Sequence, residues 1–517
     1  MALKVFGESG STNLTMDALE WAADNYQDHG TPHVINMSLG SPFGTGSGPD
    51  ITAANNAADL GMVVVASAGN SGNVSYITGS PGTGTKVISV ASSTTGGITG
   101  PTVTTDGLDP MIYQPNGFDN NTGQFEDPVV APLGYAGNLS GAADDKLCDI
   151  SGLGSNALNG KLALIQRGGC TFSTKVNNAH ALGALGALIF NNSSDDRLTM
   201  AGDPVHIPAG FLAQSDGQLL ITKDSQQTTV SSQDDVTTIP DPYTPADEIA
   251  EFSSRGPRGV DSFLKPEVTA PGVNIFAANM GSGTDGISMS GTSMAAPHVA
   301  GAAALIKQAN PAWSPEDVKA ALMNTSVDLA DSTPIPRSGS GRIDAFRSVS
   351  TETLCIGDQD LVGLSWGLIP GSTDNLVLQK TVQVFNLSTG QQSFDNGWAF
   401  QPGALTAGAQ ISVQPAQVDI APGSSADITA TLTPDLTSIL TAFSQVLEEY
   451  YGFITLSPNL GSSQGGSSPS LQLPVAFLPR PFAQLEVNMQ ERIADPASDV
   501  ARFSAVHCGP TPSHLWI

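Results

Sequence analysis

Charged residues make up only 13% of this 517-residue chain, and 20 Lys and Arg stand against 48 Asp and Glu, a net charge of −28. Nucleic-acid phosphates are held by clustered Lys and Arg, so this balance argues against a nucleic-acid partner. An acidic surface of this kind fits a soluble secreted protein. Runs of about 18 or more apolar residues are missing, so no segment reads as a membrane-spanning helix. The opening Met1-Ala-Leu-Lys-Val-Phe-Gly lacks the apolar stretch of a signal peptide. Cysteine is sparse too: Cys148, Cys170, Cys355 and Cys508 form no C-x-x-C pair, which argues against a structural zinc site. Four cysteines allow two disulfides. Cys148–Cys170 is the favoured pair because both fall in one predicted module, with free buried thiols as the alternative.

Hydrophobic residues at 40% suffice for packed cores, and 56 Gly and 35 Pro without a collagen-like period suggest loop-rich α/β and β domains. The length calls for more than one domain. Residues 1–95 alternate strand and helix. Leu3–Phe6 reads as a strand, Thr15 as the cap of a helix with Met16, Leu19, Trp21, Ala22, Ala23 and Tyr26 on its apolar face, and His33–Leu39 as a strand. Pro49 and Asp50 open a second helix that Gly61 closes, and Met62–Ala66 and Val87–Ala91 read as buried strands. This rhythm implies a parallel sheet covered on both faces.

The rhythm breaks at Gly96-Gly97 and resumes near Ile249. The insertion has its own pattern: strand Lys161–Gln166, helix Ser173–Leu185, strand Ala187–Asn191. Acidic stretches such as Gln233-Asp234-Asp235 read as solvated loops. No cofactor or metal site is assigned, and a structural calcium is not legible. From Ile249 the α/β pattern returns and ends in two helices, one starting at Ser293 and one capped by Ser314-Pro-Glu-Asp317. Beyond Asp344, Val377–Val384, Ala426–Leu432, Tyr451–Leu456 and Leu471–Phe477 read as strands of a β-sandwich, with Asp435–Tyr450 as a helical excursion.

The segment richest in chemistry is Gly291-Thr-Ser-Met-Ala-Ala-Pro-His-Val-Ala-Gly301. A Ser at a helix start, followed by small residues that allow close packing, suits a nucleophile beside a site that favours negative charge. An ordinary Ser N-cap is the bland alternative. The Gly-x-Ser-x-Gly elbow is ruled out, because Ala295 fills its last position.

The whole string resembles the Ser motif of the subtilisin-like serine protease (subtilase) family. Val34-Ile-Asn-Met-Ser-Leu-Gly40 is similar to the family's substrate-binding strand and Val63-Val-Val-Ala-Ser-Ala-Gly-Asn70 to its oxyanion segment. Phe252-Ser-Ser-Arg-Gly-Pro257 and Ala270-Pro-Gly-Val273 also match. The resemblance covers roughly residues 2–95 and 249–347. It implies that Ser293 attacks the peptide carbonyl while the Asn70 amide and the Ser293 N–H stabilise the oxyanion. Losing one such donor costs about 10²–10³ in rate, a magnitude that comes from a subtilisin. It also implies that Ser38, Leu39, Gly40, Ala68 and Gly69 wall a pocket for an extended polypeptide substrate, with Gly79 near its floor. No acidic residue in those segments would anchor a basic side chain, which points to large apolar residues before the cleaved bond.

A Ser hydroxyl needs a base, and the base an orienting carboxylate. In the family both motifs precede the strand that Leu3–Gly7 resembles, so the triad Asp and His are expected upstream of Met1. His29 and His33 do not substitute, since Pro32 and a strand follow where the motif needs a helix. His298 belongs to the Ser helix and is expected to be packed and hydrogen-bonded. Such a fragment should be poorly stable, with exposed sheet edges, and should bind better than it cuts.

Gly160–Phe172 with Lys175 and Gly183–Asn191 resembles a protease-associated domain, which implies a lid or docking role braced by Cys148 and Cys170. The domains expected are therefore an incomplete α/β subtilisin-like domain over 1–95 and 249–347, an inserted α+β domain over 96–248, a fibronectin-III-like β-sandwich over 352–480, and an unassigned tail over 481–517. The function implied is a secreted serine endopeptidase. The alternatives are a non-enzymatic binding protein and one half of a split protease.

Overall fold

The computed structural model describes residues 2–7, 12, 14–25, 34–118, 123–142, 144–195, 197–241, 244–280, 283, 286–370, 376–435, 449–459, 469–480, 485–488 and 504–507. The chain divides into two compact units, one of residues 1–91, 251–270 and 296–517, the other of 92–250 and 271–295.

In the first unit, Val34–Met37 pairs in parallel with Val63–Ser67, which pairs in parallel with Ile88–Val90. Val63–Ser67 is buried throughout, as an unbroken apolar run predicts for a strand covered on both faces. The helix Pro49–Asp59 turns Ile51, Ala54, Ala57 and Ala58 inward, at helical spacing. It ends as expected at Gly61: the Gly61 N–H reaches the Ala58 carbonyl, and a φ of 101° at Gly61 turns the Met62 N–H to that of Ala57.

Two N-terminal expectations fail. Leu3–Phe6 forms no strand, and Leu3 and Phe6 are exposed. A strand needs a ladder, and among the described residues Val34–Met37 pairs only with Val63–Ser67. Thr15 is the first residue of the helix Thr15–Asp24 and not its cap: the cap is Leu14, whose N–H is taken by Thr12 Oγ1. Among the described residues of its expected apolar face only Leu19 is fully buried, Met16 and Trp21 stay exposed, and Tyr26 lies outside the described residues.

After the Ser helix, Pro315–Asn324 begins with the predicted capping box: Ser314 Oγ accepts from Asp317 N–H, and the Asp317 carboxylate accepts from Ser314 N–H. The later strands form two sheets. One is ordered Thr353–Ile356, Leu378–Asn386, Ser425–Pro434, Ala409–Gln414. The other is Leu364–Pro370, Leu471–Arg480, Tyr450–Pro458, Gln392–Phe400, Gln417–Ile420. Ile428, Ala430 and Leu432 point inward, as the strict alternation requires. One apolar cluster draws on both sheets, joining Ile369, Tyr450 and Phe477 to Ala409 and Leu432. The expected helical excursion falls largely on 436–448, outside the described residues.

These strands are tied to the preceding core by buried polar bonds. Asn324 accepts from Cys355 N–H and donates to the Gln472 carbonyl, and Gln472 donates to the Ser326 and Ser340 carbonyls. Cys355 is a free, buried thiol whose pKa is raised by that burial. Cys508 lies outside the described residues. Glu267, 2% exposed, accepts from Lys265 at 2.5 Å, from Lys319 at 2.8 Å and from Ser89 N–H at 2.8 Å. Burial lowers the pKa of Lys265 well below the usual lysine range, and Glu267 opposes that shift.

In the second unit, Val129–Tyr135, Leu162–Gln166, Gly186–Phe190 and Ala209–Leu212 run parallel in that order. Antiparallel strands, among them Gly97–Thr105 and Gln227–Val230, extend the sheet. Leu162–Gln166 feeds Ala163 and Ile165 into one core and Leu162 and Leu164 into the other, so both faces are covered. The helix expected over Ser173–Leu185 spans Phe172–Ala181. Gly183, at a φ of 90°, turns the chain out early. Asp234 and Asp235 are exposed, and Cys148 and Cys170 are disulfide-bonded.

Replacing Glu267 by Gln would leave two buried ammonium groups without their carboxylate, a loss of about 3–5 kcal/mol. The described Trp21, Trp313, Trp366 and Trp398 lie in the first unit, so tryptophan fluorescence during urea unfolding should report a lower midpoint. An unchanged midpoint would show that the cluster is not needed for stability.

Candidate active site

Ser293 lies in the second unit, in the first turn of the helix Thr292–Ala309. The carbonyl of Gly291 accepts the first helical bonds, from Met294 and Ala295 N–H. Gly291 is therefore the cap and Ser293 the second helical residue, which removes the reading of Ser293 as an ordinary N-cap. Its N–H is one of the first-turn donors, where a helix end favours negative charge. Four residues on, Pro297 has no N–H to return to the Ser293 carbonyl.

The helix start is fixed by close backbone approach. Gly291 N–H donates to the Gly272 carbonyl at 2.8 Å, and Gly272 N–H to Ser93 at 2.9 Å. A Cβ on Gly272 would lie 2.3 Å from Ser92 Oγ, 2.7 Å from the Gly291 carbonyl oxygen and 3.1 Å from Ala295 Cβ. Ser293 itself is half-buried between buried Thr292 and Ala295.

The other predicted residues lie in the first unit, which brings them together. Ser41 and Ser80 exchange backbone bonds of 3.0 and 2.9 Å, laying Ser38-Leu39-Gly40 beside Gly79. A Cβ on Gly40 would meet the Ser80 carbonyl oxygen at 2.7 Å, and one on Gly79 that of Ser41 at 2.8 Å. Gly79 N–H donates to the Ala68 carbonyl, and Ser67 Oγ to that of Leu39. Gly69, at a φ of 109°, leads to exposed Asn70.

Ser254 and Arg255 have no role legible in the sequence beyond membership of a motif. Ser254 N–H donates to the Gly69 carbonyl and its Oγ accepts from Ser71 N–H, bracketing Asn70. The Arg255 carbonyl accepts from Ile77 and Thr78 N–H, just before Gly79. Only tertiary contact reveals these tasks.

His298 departs from the expected packing. It is exposed rather than packed, on a helix face shared with exposed Pro297, Gly301, Ala304 and Leu305. His29 and His33 lie outside the described residues. Among the described residues, no group of three or more His, Cys, Asp or Glu is placed to hold a metal ion, and no helix is long and apolar enough to cross a membrane.

Gly272→Ala is expected to destabilise the start of the Ser helix by about 1–3 kcal/mol. Faster hydrogen–deuterium exchange of the amides of Gly291–Ala295 would report it. Exchange at the wild-type rate would mean that the contacts around Gly272 yield.

The chain is similar to known proteins. Minor extracellular protease Vpr of Bacillus subtilis (strain 168) is 31% identical over 427 residues, 79% of this chain and 49% of that protein. A PII-type proteinase of Lacticaseibacillus paracasei is 34% identical over 341 residues, 60% of this chain and 17% of that one. A solved structure, the psychrophilic subtilisin-like protease Apa1 from Pseudoalteromonas sp. AS-11, aligns over 67% of this chain and 76% of that chain, at 21% identity and a TM-score of 0.36. The chain thus spans about half or less of the length of the first two relatives. Residues 1–341 match the family model Peptidase_S8, described as the subtilase family. With Ser293 second in a helix capped by Gly291 and that match across both halves of the α/β pattern, the chain belongs to the subtilase family.

Proposed function

We propose that the protein is a serine endopeptidase that cleaves polypeptides through an acyl-enzyme on Ser293. The observation that carries this reading is the placement of Ser293. A glycine cap and a glycine-lined backbone contact hold it in the first turn of the helix, not at the cap where a structural Ser would serve. The Ser293 hydroxyl attacks the scissile carbonyl, and the Ser293 N–H and the Asn70 amide take the oxyanion that forms only in the transition state. Ser38, Leu39, Gly40, Ala68 and Gly69 wall the pocket and Gly79 lies near its floor, with a preference for large apolar side chains.

The triad Asp and His are assigned to residues outside these 517, because neither an Asp-Thr/Ser-Gly nor a His-Gly-Thr-His string occurs in the sequence. On its own this polypeptide is therefore a binder more than a catalyst, which also keeps open a non-enzymatic binding role or one half of a split protease. The insert over 96–248 acts as a protease-associated domain that restricts access to the cleft. The two later sheets form a fibronectin-III-like sandwich over 352–480. Secretion fits the acidic composition, and the Bacillus relative is named as extracellular.

The 517-residue chain alone should react negligibly with a fluorophosphonate. Strong labelling that Ser293→Ala abolishes would mean a base is present in these residues. Supplied with the missing Asp and His, in cis or by co-expression, it should hydrolyse peptides, and Asn70→Ala should then lower kcat by about 10²–10³. An unaltered kcat would remove Asn70 from the oxyanion site.

A further inference from the structure

The insert carries a lysine that the proposed proteolysis does not use. Lys175, on the helix Phe172–Ala181, is 0% exposed. Its Nζ donates to the Lys146 carbonyl at 2.5 Å and stands 3.6 Å from Cys148 Sγ, one half of the Cys148–Cys170 disulfide. Burial pulls its pKa down to about 8, with the Asp144 and Asp145 carboxylates opposing that shift and Lys146 adding to it. At neutral pH it remains an ammonium group, aimed at one sulfur of the pair.

We propose that this disulfide is a directional thiol-exchange site, in which a small external thiol adds to Cys170 and Lys175 receives the departing Cys148 thiolate. Both cysteines are half-buried, so access alone does not choose between them. The leaving group does: exchange is faster when the departing thiol is the better-stabilised thiolate, and a neighbouring lysine lowers a cysteine pKa. A competing pull exists, since Cys170 lies just before Thr171, the cap of the Phe172–Ala181 helix. A helix start offers about half a unit of positive charge, against a full unit on Lys175, so Cys148 leaves. In the step itself the external thiolate forms a bond to Cys170 Sγ as the Cys148–Cys170 bond breaks. The electron pair goes to Cys148, and the thiol's proton has already passed to solvent. The external sulfur is oxidised to the mixed disulfide and Cys148 is reduced.

The test is a brief exposure to limiting 2-mercaptoethanol at pH 7.5, acid quench, alkylation of the freed thiol and mass mapping. Cleavage after Lys146, Lys161, Arg167 and Lys175 places Cys148 in peptide 147–161 and Cys170 in peptide 168–175. The mercaptoethanol adduct should sit on 168–175 and the alkyl group on 147–161, by about tenfold over the reverse. Lys175→Met should slow the exchange and erase most of that preference, and Lys175→Arg should restore it. Equal adducts on both peptides, or an excess on Cys148, would overturn the proposal. The wild-type ratio decides the matter even where Lys175→Met does not fold.

Discussion

Burying a carboxylate between ammonium groups is a costly way to hold a core, because each charge gives up its water. The first unit does so at Glu267. Its two oxygens take Lys265, Lys319 and the Ser89 N–H of a central strand. The remaining ammonium protons go to the carbonyls of Gly84, Thr85, Val87 and Asp360. The cluster therefore pins the loop before one sheet strand, the helix after the Ser helix and the first turn beyond the α/β core to a single point. The bonds of Asn324 and Gln472 continue the same tie outward. Removing any one partner leaves the others with an uncompensated desolvation, so the α/β core and the later strands are expected to stand or fall together.

On that frame, the segments proposed to wall the pocket are placed by backbone approach more than by side chains. Gly40, Gly79 and Gly69 each sit where a Cβ would fall within 3 Å of a neighbouring oxygen. In the second unit Gly272 does the same under Gly291, the residue that caps the Ser helix. Such positions admit the close packing that orients a reactive side chain without using further side chains to do it.

Much of this is legible in the sequence because it depends on local pattern. The apolar run of Val63–Ser67, the Ser314 capping box, the alternation in Asp427–Leu432 and the helix that opens beside Ser293 are short-range signals, and the structure follows them. What fails depends on neighbours. Leu3–Phe6 has strand composition but no ladder, and Met16 and Trp21 have helical spacing but little to pack against. His298 is exposed although its motif suggests packing. Ser254 and Arg255 bond to residues nearly two hundred positions away in sequence, as do Lys265 and Glu267, so nothing in their own segments announces those tasks. Lys175 stands out in the sequence only as part of a resemblance, and its contact with Cys148 depends on how the helix Phe172–Ala181 packs.

The central claim is that Ser293 is the nucleophile in covalent catalysis. The direct measurement is tandem mass spectrometry of the fluorophosphonate adduct formed once the Asp and His proposed to lie outside these residues are supplied. The account predicts a single modified residue, Ser293, in the peptide that contains Gly291–Gly301. An adduct on any other residue, in a protein that hydrolyses peptides, would contradict it.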